Sequence, residues 1–340
     1  MSSETSENPA DPSRPVTISY IAETAGVSVP TVSKVINGRS GVAADTRARV
    51  ESLINAYGYR KSSSSARSNM MELVFEQLES MWGVEIIRGV QQSARKHHLG
   101  VVLSEFGPDG STIRYWIEGA LARRPACVVS VAQLSQQERD QLRTQGVPFV
   151  VFDPTHELPD DVPFVGATNW SGGRAATRHL VQLGHTRVAM VAGPDQILCC
   201  RARFDGYRAA VESAGLPVLV AHAELTQEGG HAAARELLAR RPERPTAVFA
   251  SNDLQAVGVY QAAREAGLRI PHDLSVVGFD DLPITALMDP PLTTVHQPLA
   301  EMAIAATEMA LALGRGERPA QIGVELATTL TVRESTAPPT

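Results

Sequence analysis

The sequence predicts two folds in one chain: a short all-α head of three helices, then an α/β core of doubly wound parallel sheets. Three observations predict it. Between residues 18 and 57, apolar residues recur at helical spacing in three short, separately punctuated runs. From Leu73 onward, short β-branched runs alternate with amphipathic helical segments, the rhythm of parallel strands joined by helices. The chain has 340 residues, whereas single cores rarely grow past about 250. That leaves room for a small module and a larger domain of two sub-cores.

Residues 1–15 are acidic, polar and proline-containing, and a disordered tail is expected there rather than an export signal. The first helix, about 18–25, has Thr17 as its N-cap, places Ile18, Ile21, Ala22 and Ala25 on one face, and ends at Gly26. Ser28 can cap the second, about 29–36, whose Val32, Val35 and Ile36 face inward before Asn37-Gly38 stops it. The third, about 45–56, presents Val50, Leu53 and Ile54, then Tyr57 ahead of Gly58. Lys61 to Ser65 is polar and of low complexity, which reads as a linker. The expected division is therefore a head over 16–60, a hinge or linker over 61–72, a core over 73–335 and a short tail over 336–340.

Charge is segregated along this layout. The formal net charge is −6, yet from Ser13 to Arg67 eight basic residues face three acids, a local +5 that leaves −11 on the remainder. A basic head on an acidic body is the asymmetry expected when one end touches phosphate. The three cysteines, two of them adjacent, provide neither a disulfide framework nor metal-ligand spacing, and no metal site or cofactor is expected. No apolar stretch approaches the ~18 residues of a membrane span. A cytoplasmic protein without a membrane partner is expected.

The segment VTISYIAETAGVSVPTVSKVING, residues 16–38, joins two short helices at AGVS, a turn tight enough to let the second enter a major groove. Val29, Pro30, Thr31, Ser33 and Lys34 stand at its groove-facing side, with Ser28 and Asn37 able to donate to phosphate. A generic three-helix domain with a solvated basic face is the bland alternative. At these residues the chain resembles the LacI/GalR family of transcriptional regulators, whose pattern V-T-x-x-x-[VI]-A-x-x-A-G-V-S-x-x-T-V-S-[RK]-V-[VIL]-N is matched at essentially every fixed position. The resemblance runs to about Val332. It implies base reading by Val29, Pro30 and Lys34, and phosphate anchoring by Ser28, Thr31, Ser33 and Asn37, with Thr17 and Arg67 as further DNA-side candidates. Val29 and Pro30 offer only apolar contact and are expected to favour thymine methyls. Two features depart from the family. Ala43 stands where a serine commonly caps the third helix, losing about 1 kcal/mol. Lys61-Ser62 replaces the Pro-Asn that opens the family's hinge helix, so Met70 becomes the candidate minor-groove wedge; a plain flexible tether is the other reading.

In the core, the strand candidates are residues 101–105, 127–131, 149–153, 188–193, 218–223, 247–252 and 275–281. Asp153, Asn252, Asp253 and Asp280 lie where the carboxyl ends of parallel strands open onto a ligand crevice. The resemblance implies a core similar to type-I periplasmic sugar-binding proteins. Its lobe 1 would span about 73–164 and 297–326 and its lobe 2 about 165–296 and 327–335, with an effector between them. The strand-end residues coincide with the family's effector contacts. Arg201, in R-x-R-x-x-G, takes the place of the effector-binding arginine, with Arg203 as its structural neighbour. Trp82, in the loop after the first core strand, is a stacking candidate or a packing residue, Trp170 a weaker candidate, and Gln297 lies on a hinge crossing. Leu225 stands where an aromatic is common, and Ile197, Leu198, Cys199 and Cys200 replace polar residues, so one wall is expected to be apolar. His185 reads as a structural histidine at a helix end.

The resulting expectation is a sequence-specific DNA-binding regulator, a homodimeric repressor released from a near-palindromic operator by a small molecule, a mono- or oligosaccharide. A purine or phosphorylated metabolite acting as corepressor is the alternative. A carbohydrate-active enzyme is opposed because Asp280 and Asp281, adjacent on a strand, point to opposite faces and cannot flank one bond; no catalytic residues are expected. A sugar-binding protein without a regulatory role is opposed by the basic head. Ala303, Ala306, Ala310 and Leu313 line one face of a helix at 298–314, which lobe packing explains, and the C-terminus lacks leucine heptads.

Overall fold

The computed structural model describes residues 17–36, 40–57, 67–78, 81–107, 113–240, 242–317 and 319–340. The proposed N-terminal tail, Asn37 and the first part of the hinge, 61–66, lie outside them. The chain divides into two compact units, 1–66 and 67–340.

In the head, α1 (Ile18–Ala25), α2 (Val29–Ile36) and α3 (Ala44–Ala56) follow the expected order. Thr17 Oγ1 accepts from the amide of Tyr20 at 3.2 Å, and Gly26 closes α1 with a φ of 64° that a residue with a Cβ adopts only at a cost. Ile21, Ala22, Ala25, Val32, Val35 and Val50 form the small core. Tyr20 and Tyr57 meet edge to face at 5.5 Å, joining the two ends of the unit.

The second unit runs β1 (Met70–Phe75), α4 (Met81–Lys96), β2 (Gly100–Glu105), α5 (Ile113–Arg123), β3 (Val128–Ser130), α6 (Gln136–Thr144), β4 (Phe149–Phe152) and β5 (Phe164–Ala167). It continues with α7 (Asn169–Gln182), β6 (Val188–Ala192), α8 (Leu198–Ser213), β7 (Leu219–His222), α9 (Gln227–Ala239), β8 (Ala247–Ala250), α10 (Asp253–Glu265), β9 (Ser275–Asp280) and a 3-10 turn at Pro283–Leu287. It ends with β10 (Thr293–His296), α11 (Leu299–Gly314), β11 (Gly323–Leu326) and β12 (Thr329–Thr331). Two six-stranded sheets result, ordered β11-β5-β4-β3-β1-β2 and β12-β10-β9-β8-β6-β7. Every pairing is parallel except β10 with β12. Each central strand is buried on both faces, and its alternating residues serve two layers. Leu73 and Phe75 pack with Val150 and Phe152 toward α4 and α11, while Val74 packs with Phe149 and Val151 on the other side.

The chain crosses between the sheets three times: after β5, after β10 and after β11. Because β5 pairs wholly within the first sheet, the first crossing lies at Thr168, three residues beyond the expected boundary. There the hydroxyls of Thr168 and Thr328 stand 3.1 Å apart, tying two crossings together. The core also begins earlier than expected. Met70 opens β1 opposite Gly100, and Arg67 donates from Nη1 to the carbonyl of Gly314 at 2.6 Å and from Nη2 to that of Gly146 at 2.9 Å. Both residues are thus part of the core's framework, not of a hinge helix, because strand pairing and two carbonyl acceptors claim them. The last residues are equally engaged: the carbonyl of Ala337 accepts from Ser275 Oγ at 3.0 Å and Thr336 Oγ1 lies 2.9 Å from His179 Nε2, so 336–340 is no loose tail. His185 is buried, with Nδ1 at 2.9 Å from Thr246 Oγ1 and Nε2 at 2.9 Å from the carbonyl of Ala337. Ala303, Ala306 and Ala310 are fully buried, and Leu313 packs partly against the same cluster. Among the described residues no helix is long and apolar enough to cross a membrane.

Candidate DNA-reading face and effector cleft

On α2 the residues divide by helical spacing. Val32 and Val35 are buried, whereas Val29, Pro30 and Lys34 are exposed and Thr31 and Ser33 half-buried. Pro30 lies in the first turn, where no intrahelical bond needs its amide. Ser28 Oγ and Thr31 Oγ1 stand 2.9 Å apart at the entrance, two hydroxyls held side by side on the exposed end. A short helix with apolar residues and one long cation outward, and a packed apolar stripe behind, can lie in a major groove without disturbing its own core.

The second site lies between the two sheets. A cavity of about 250 Å³ is lined by Trp82, Val131, Asp153, Thr155, Ile197, Cys199, Arg203, Leu225, Asn252, Leu254, Asp280 and Leu282. Asp153 follows β4, Asn252 caps α10 after β8, and Asp280 closes β9, so parallel strands deliver all three by their carboxyl ends. Asp153 and Asp280 have φ of 46° and 108°, left-handed values that are costly for residues with a Cβ and concentrate at functional sites.

Arg203 organises this cavity. Its guanidinium is buried and donates from Nε to Asn169 Oδ1 at 2.8 Å, from Nη1 to the carbonyl of Ser251 at 2.7 Å and from Nη2 to Gln297 Oε1 at 3.3 Å. It lies 3.7 Å from the centre of the Phe279 ring and pairs with Asp280 Oδ1 at 3.5 Å. Gln297 Nε2 in turn donates to Asp153 Oδ2 at 3.1 Å. One chain of contacts therefore runs from the first lobe through a crossing residue to the second. Among the described residues Asp280 Oδ1 has its ion pair with Arg203 but accepts no hydrogen bond, so this buried carboxylate oxygen keeps the capacity to accept one from a ligand. Burial raises the Asp280 carboxyl to about 7, against the pull of Arg203. Burial likewise raises Asp153, opposed by Arg203 and by the Gln297 hydrogen bond.

The expected effector residues separate into two groups. Trp82, Asp153, Asn252 and Asp280 reach the cavity, and Gln297 supports it from behind. Trp82 does so from the first turn of α4, not from a loop, and packs edge to face on Phe152 at 5.9 Å. Asn252 is half committed: its Oδ1 accepts from the Gln255 amide at 2.8 Å and Nδ2 donates to the Leu225 carbonyl at 3.0 Å, leaving one N–H. Asp253 points away. Its carboxylate accepts from Thr294 Oγ1 at 2.6 Å and from the Leu282 amide at 2.8 Å, so it braces β10 and the 3-10 turn. Arg201 also lies outside. It is exposed, pairs with Glu157 at 3.4 Å and lines a wider groove of about 680 Å³ past β5 and the starts of α7 and α8. Trp170 lines the same groove. That groove is larger, but its charged side chains other than Asp153 are exposed or half-buried, so it lacks the buried charge that sets the smaller cavity apart.

The arginine in the cleft is Arg203, and helical spacing reveals why. On α8 the buried positions are Cys200, Arg203, Gly206, Tyr207, Ala210 and Val211, recurring at three and four, whereas Arg201 falls on the outer face. Gly206 belongs to the same face because a Cβ there would strike the Trp170 carbonyl of α7, and one at Gly173 would strike the backbone of Arg203. Asn169, which orients Arg203, was not among the expected site residues; the buried Arg203 needing an acceptor is the only signal for it. Asp280 and Asp281 diverge as expected. Asp281 pairs with Arg333 at 2.7 Å and with His296 at 3.1 Å, away from Arg203.

This architecture matches known proteins over nearly its whole length. The model for bacterial regulatory proteins of the lacI family matches residues 17–62, and that for a periplasmic binding protein-like domain matches residues 177–336. The HTH-type transcriptional regulator MalR of Streptomyces coelicolor is 36% identical over 306 residues, 86% of this chain and 88% of that protein. The chain belongs to the LacI family of transcriptional regulators. Among solved structures, the regulator CelR in complex with cellobiose superposes with a TM-score of 0.73 at 32% identity, covering 95% of this chain and all of the other, 100%. The lac repressor dimer bound to operator and the anti-inducer ONPF superposes with a TM-score of 0.72 at 26% identity, again over 95% and 100%. The protein is a DNA-binding transcriptional regulator, and the LacI-family relatives are regulators rather than enzymes.

Proposed function

We propose that the protein is a cytoplasmic homodimeric repressor that reads a near-palindromic operator with α2 and releases it when a sugar occupies the cavity between its lobes. Val29, Pro30 and Lys34 read bases, and Thr17, Ser28, Thr31 and Ser33 hold phosphates. Asn37, outside the described residues, is assigned to phosphate by the same motif. Asp153, Arg203, Asn252, Asp280 and Trp82 hold the sugar, with Gln297 linking the lobes behind it.

The observation that carries the sugar assignment is the buried set of Asp153, Arg203 and Asp280, with one carboxylate oxygen that accepts no hydrogen bond. Two carboxylates and a forked donor match vicinal hydroxyls, each of which donates once and accepts once. A phosphorylated corepressor is disfavoured at the same site, because two acids against one guanidinium repel an added dianion. A sugar bridging Asp153 and Asp280 holds the lobes in one arrangement, and only its differential affinity for that arrangement shifts the heads of a dimer off half-sites about one helical turn apart. Fluorescence anisotropy of the purified protein on duplex DNA from its own promoter region, titrated at fixed salt with and without sugars, tests this. Tight binding that a sugar weakens at least tenfold is expected. Binding no tighter than to random duplex, or a sugar that strengthens it, would refute the assignment.

A further inference from the structure

The chain enters the core where three helices end. Arg67 is the first residue of the second unit, and its guanidinium reaches two helix C-termini: the carbonyl of Gly314, the last residue of α11, at 2.6 Å, and that of Gly146, just past α6, at 2.9 Å. Its neighbour Ser68 reaches a third, with its amide 2.8 Å and its Oγ 3.1 Å from the carbonyl of Arg124, just past α5. Carbonyls at a helix C-terminus have no partner within their helix and carry the negative end of its dipole, so a forked cation is suited to join them. From this junction α11 runs to the effector cavity. Its first amide, that of Leu299, donates to the carbonyl of Gln297 at 2.7 Å, and the Gln297 side chain joins Asp153 to Arg203. Over its 16 residues, about 24 Å, the helix is one packed body: Met302, Ala303, Ala306 and Ala310 are fully buried, and a Cβ on Gly89 of α4 would strike the Ala300 carbonyl.

We infer that Arg67 couples the effector cavity to the DNA-binding head: α11 carries a displacement of Gln297 to Gly314, and Arg67 passes it to the linker. The inference rests on the sugar reading above and adds how occupancy is transmitted. A sugar that pulls on Asp153 also moves the Gln297 amide bonded to it, and a close-packed helix transmits such a shift rather than absorbing it. At the far end the linker is covalently attached to Arg67, whose fork holds it to the ends of α11 and α6. Without the guanidinium the linker keeps its attachment to β1 and the hold of Ser68 on Arg124, but the end of α11 can shift without it. Arg67 touches neither the cavity lining nor, in this reading, DNA, and is therefore a positioning residue.

Operator affinity of the full-length protein is measured by anisotropy on duplex DNA from its own promoter region, with and without cellobiose, maltose, D-ribose or D-glucose. The sugar that weakens binding most in the parent is used throughout. The readout is the ratio of the two affinities, which a merely structural defect leaves unchanged because inactive protein lowers both alike. Arg67→Ala should lower a ratio of about tenfold or more to about threefold or less, while the dissociation constant of the sugar for the free protein, from titration calorimetry, stays within about twofold. Gly314→Ala keeps the arginine but puts a Cβ where its Nη1 lies, and should lower the ratio by about twofold or more. Arg187→Ala removes an equivalent donation, to the carbonyl of Arg244 at 2.9 Å in the other lobe, and should keep the parent's ratio. If Arg67→Ala does not fold, Gly314→Ala decides alone. A parent-like ratio in either variant, an equal fall in Arg187→Ala, or a fall matched by lost sugar affinity overturns the inference while the sugar reading stands. If no sugar weakens operator binding by the parent, the sugar reading fails and carries this inference with it.

Discussion

Replacing Arg203 by methionine tests whether the cavity's charges are held by this one guanidinium. Methionine keeps most of the apolar stem over Phe279 but removes the donors to Asn169, Ser251 and Gln297 and the cation beside Asp280. Asp280 is 6% exposed and Asp153 8%, so neither carboxylate can recover its hydration. Breaking one side of a buried ion pair typically costs about 3–5 kcal/mol, more than a surface pair by several fold. Because burial already raises Asp280 to about 7, part of that cost is relieved by protonation near neutral pH, which places the expected loss near about 3 kcal/mol. Neutralising the partner as well, in Arg203→Met with Asp280→Asn, removes the stranded charge and should recover at least about 1.5 kcal/mol of it. Urea unfolding of both variants and of Asp280→Asn alone, followed by tryptophan fluorescence at pH 7, supplies the cycle. Additive effects, or an Arg203→Met variant within about 1 kcal/mol of the parent, would refute a cavity organised by this residue.

Three further outcomes follow from the same geometry. The native state holds the Asp280 proton up to about pH 7, against an ordinary carboxyl value of 3.8, so its contribution to stability of the free protein decreases as pH rises between those values. Asp280→Asn should therefore gain thermal stability relative to the parent from pH 5 to pH 8, a comparison in which the opposite contributions of His179 and His185, both lowered by burial, cancel; a difference independent of pH counts against it. Lys34→Ala should weaken operator binding and lower the salt slope by about 1 when Lys34 meets phosphate, or relax one base position by about 1–3 kcal/mol when it meets a base; unchanged affinity and specificity would remove Lys34 from the interface. Arg67→Ala should leave the salt slope of operator binding unchanged and destabilise the core by about 1 kcal/mol, because its fork is spent on two core carbonyls, whereas a slope reduced by about 1 would return it to the DNA.

Where local rules act, sequence and structure coincide closely. The caps at Thr17 and Gly26, the inward stripe of Val32 and Val35, and the strand ends at Asp153, Asn252 and Asp280 depend on a few consecutive residues and on the periods of helix and strand. The misplacements share one cause. Arg201 and Arg203 are two positions apart on α8 and equally suited to a hydroxyl pair, but which one faces the cleft depends on how α8 meets α7 at Gly206 and Gly173. Asp253 looks as able to bind as Asn252 until Thr294 and the Leu282 amide, both distant in sequence, claim its oxygens. Met70 and Arg67 read as linker because only their pairing with Gly100, Gly146 and Gly314 makes them core.

By itself, the order of amino acids determined the two units, their opposite charge, the groove-facing side of α2 and the three strand ends that bound the cavity, since each follows from near neighbours along the chain. The tertiary structure alone decided which arginine enters the cavity and which buried carboxylate oxygen is left without a hydrogen bond. Those properties belong to side chains drawn from strands and helices far apart in sequence, and burial assigns their partners only once the lobes have formed.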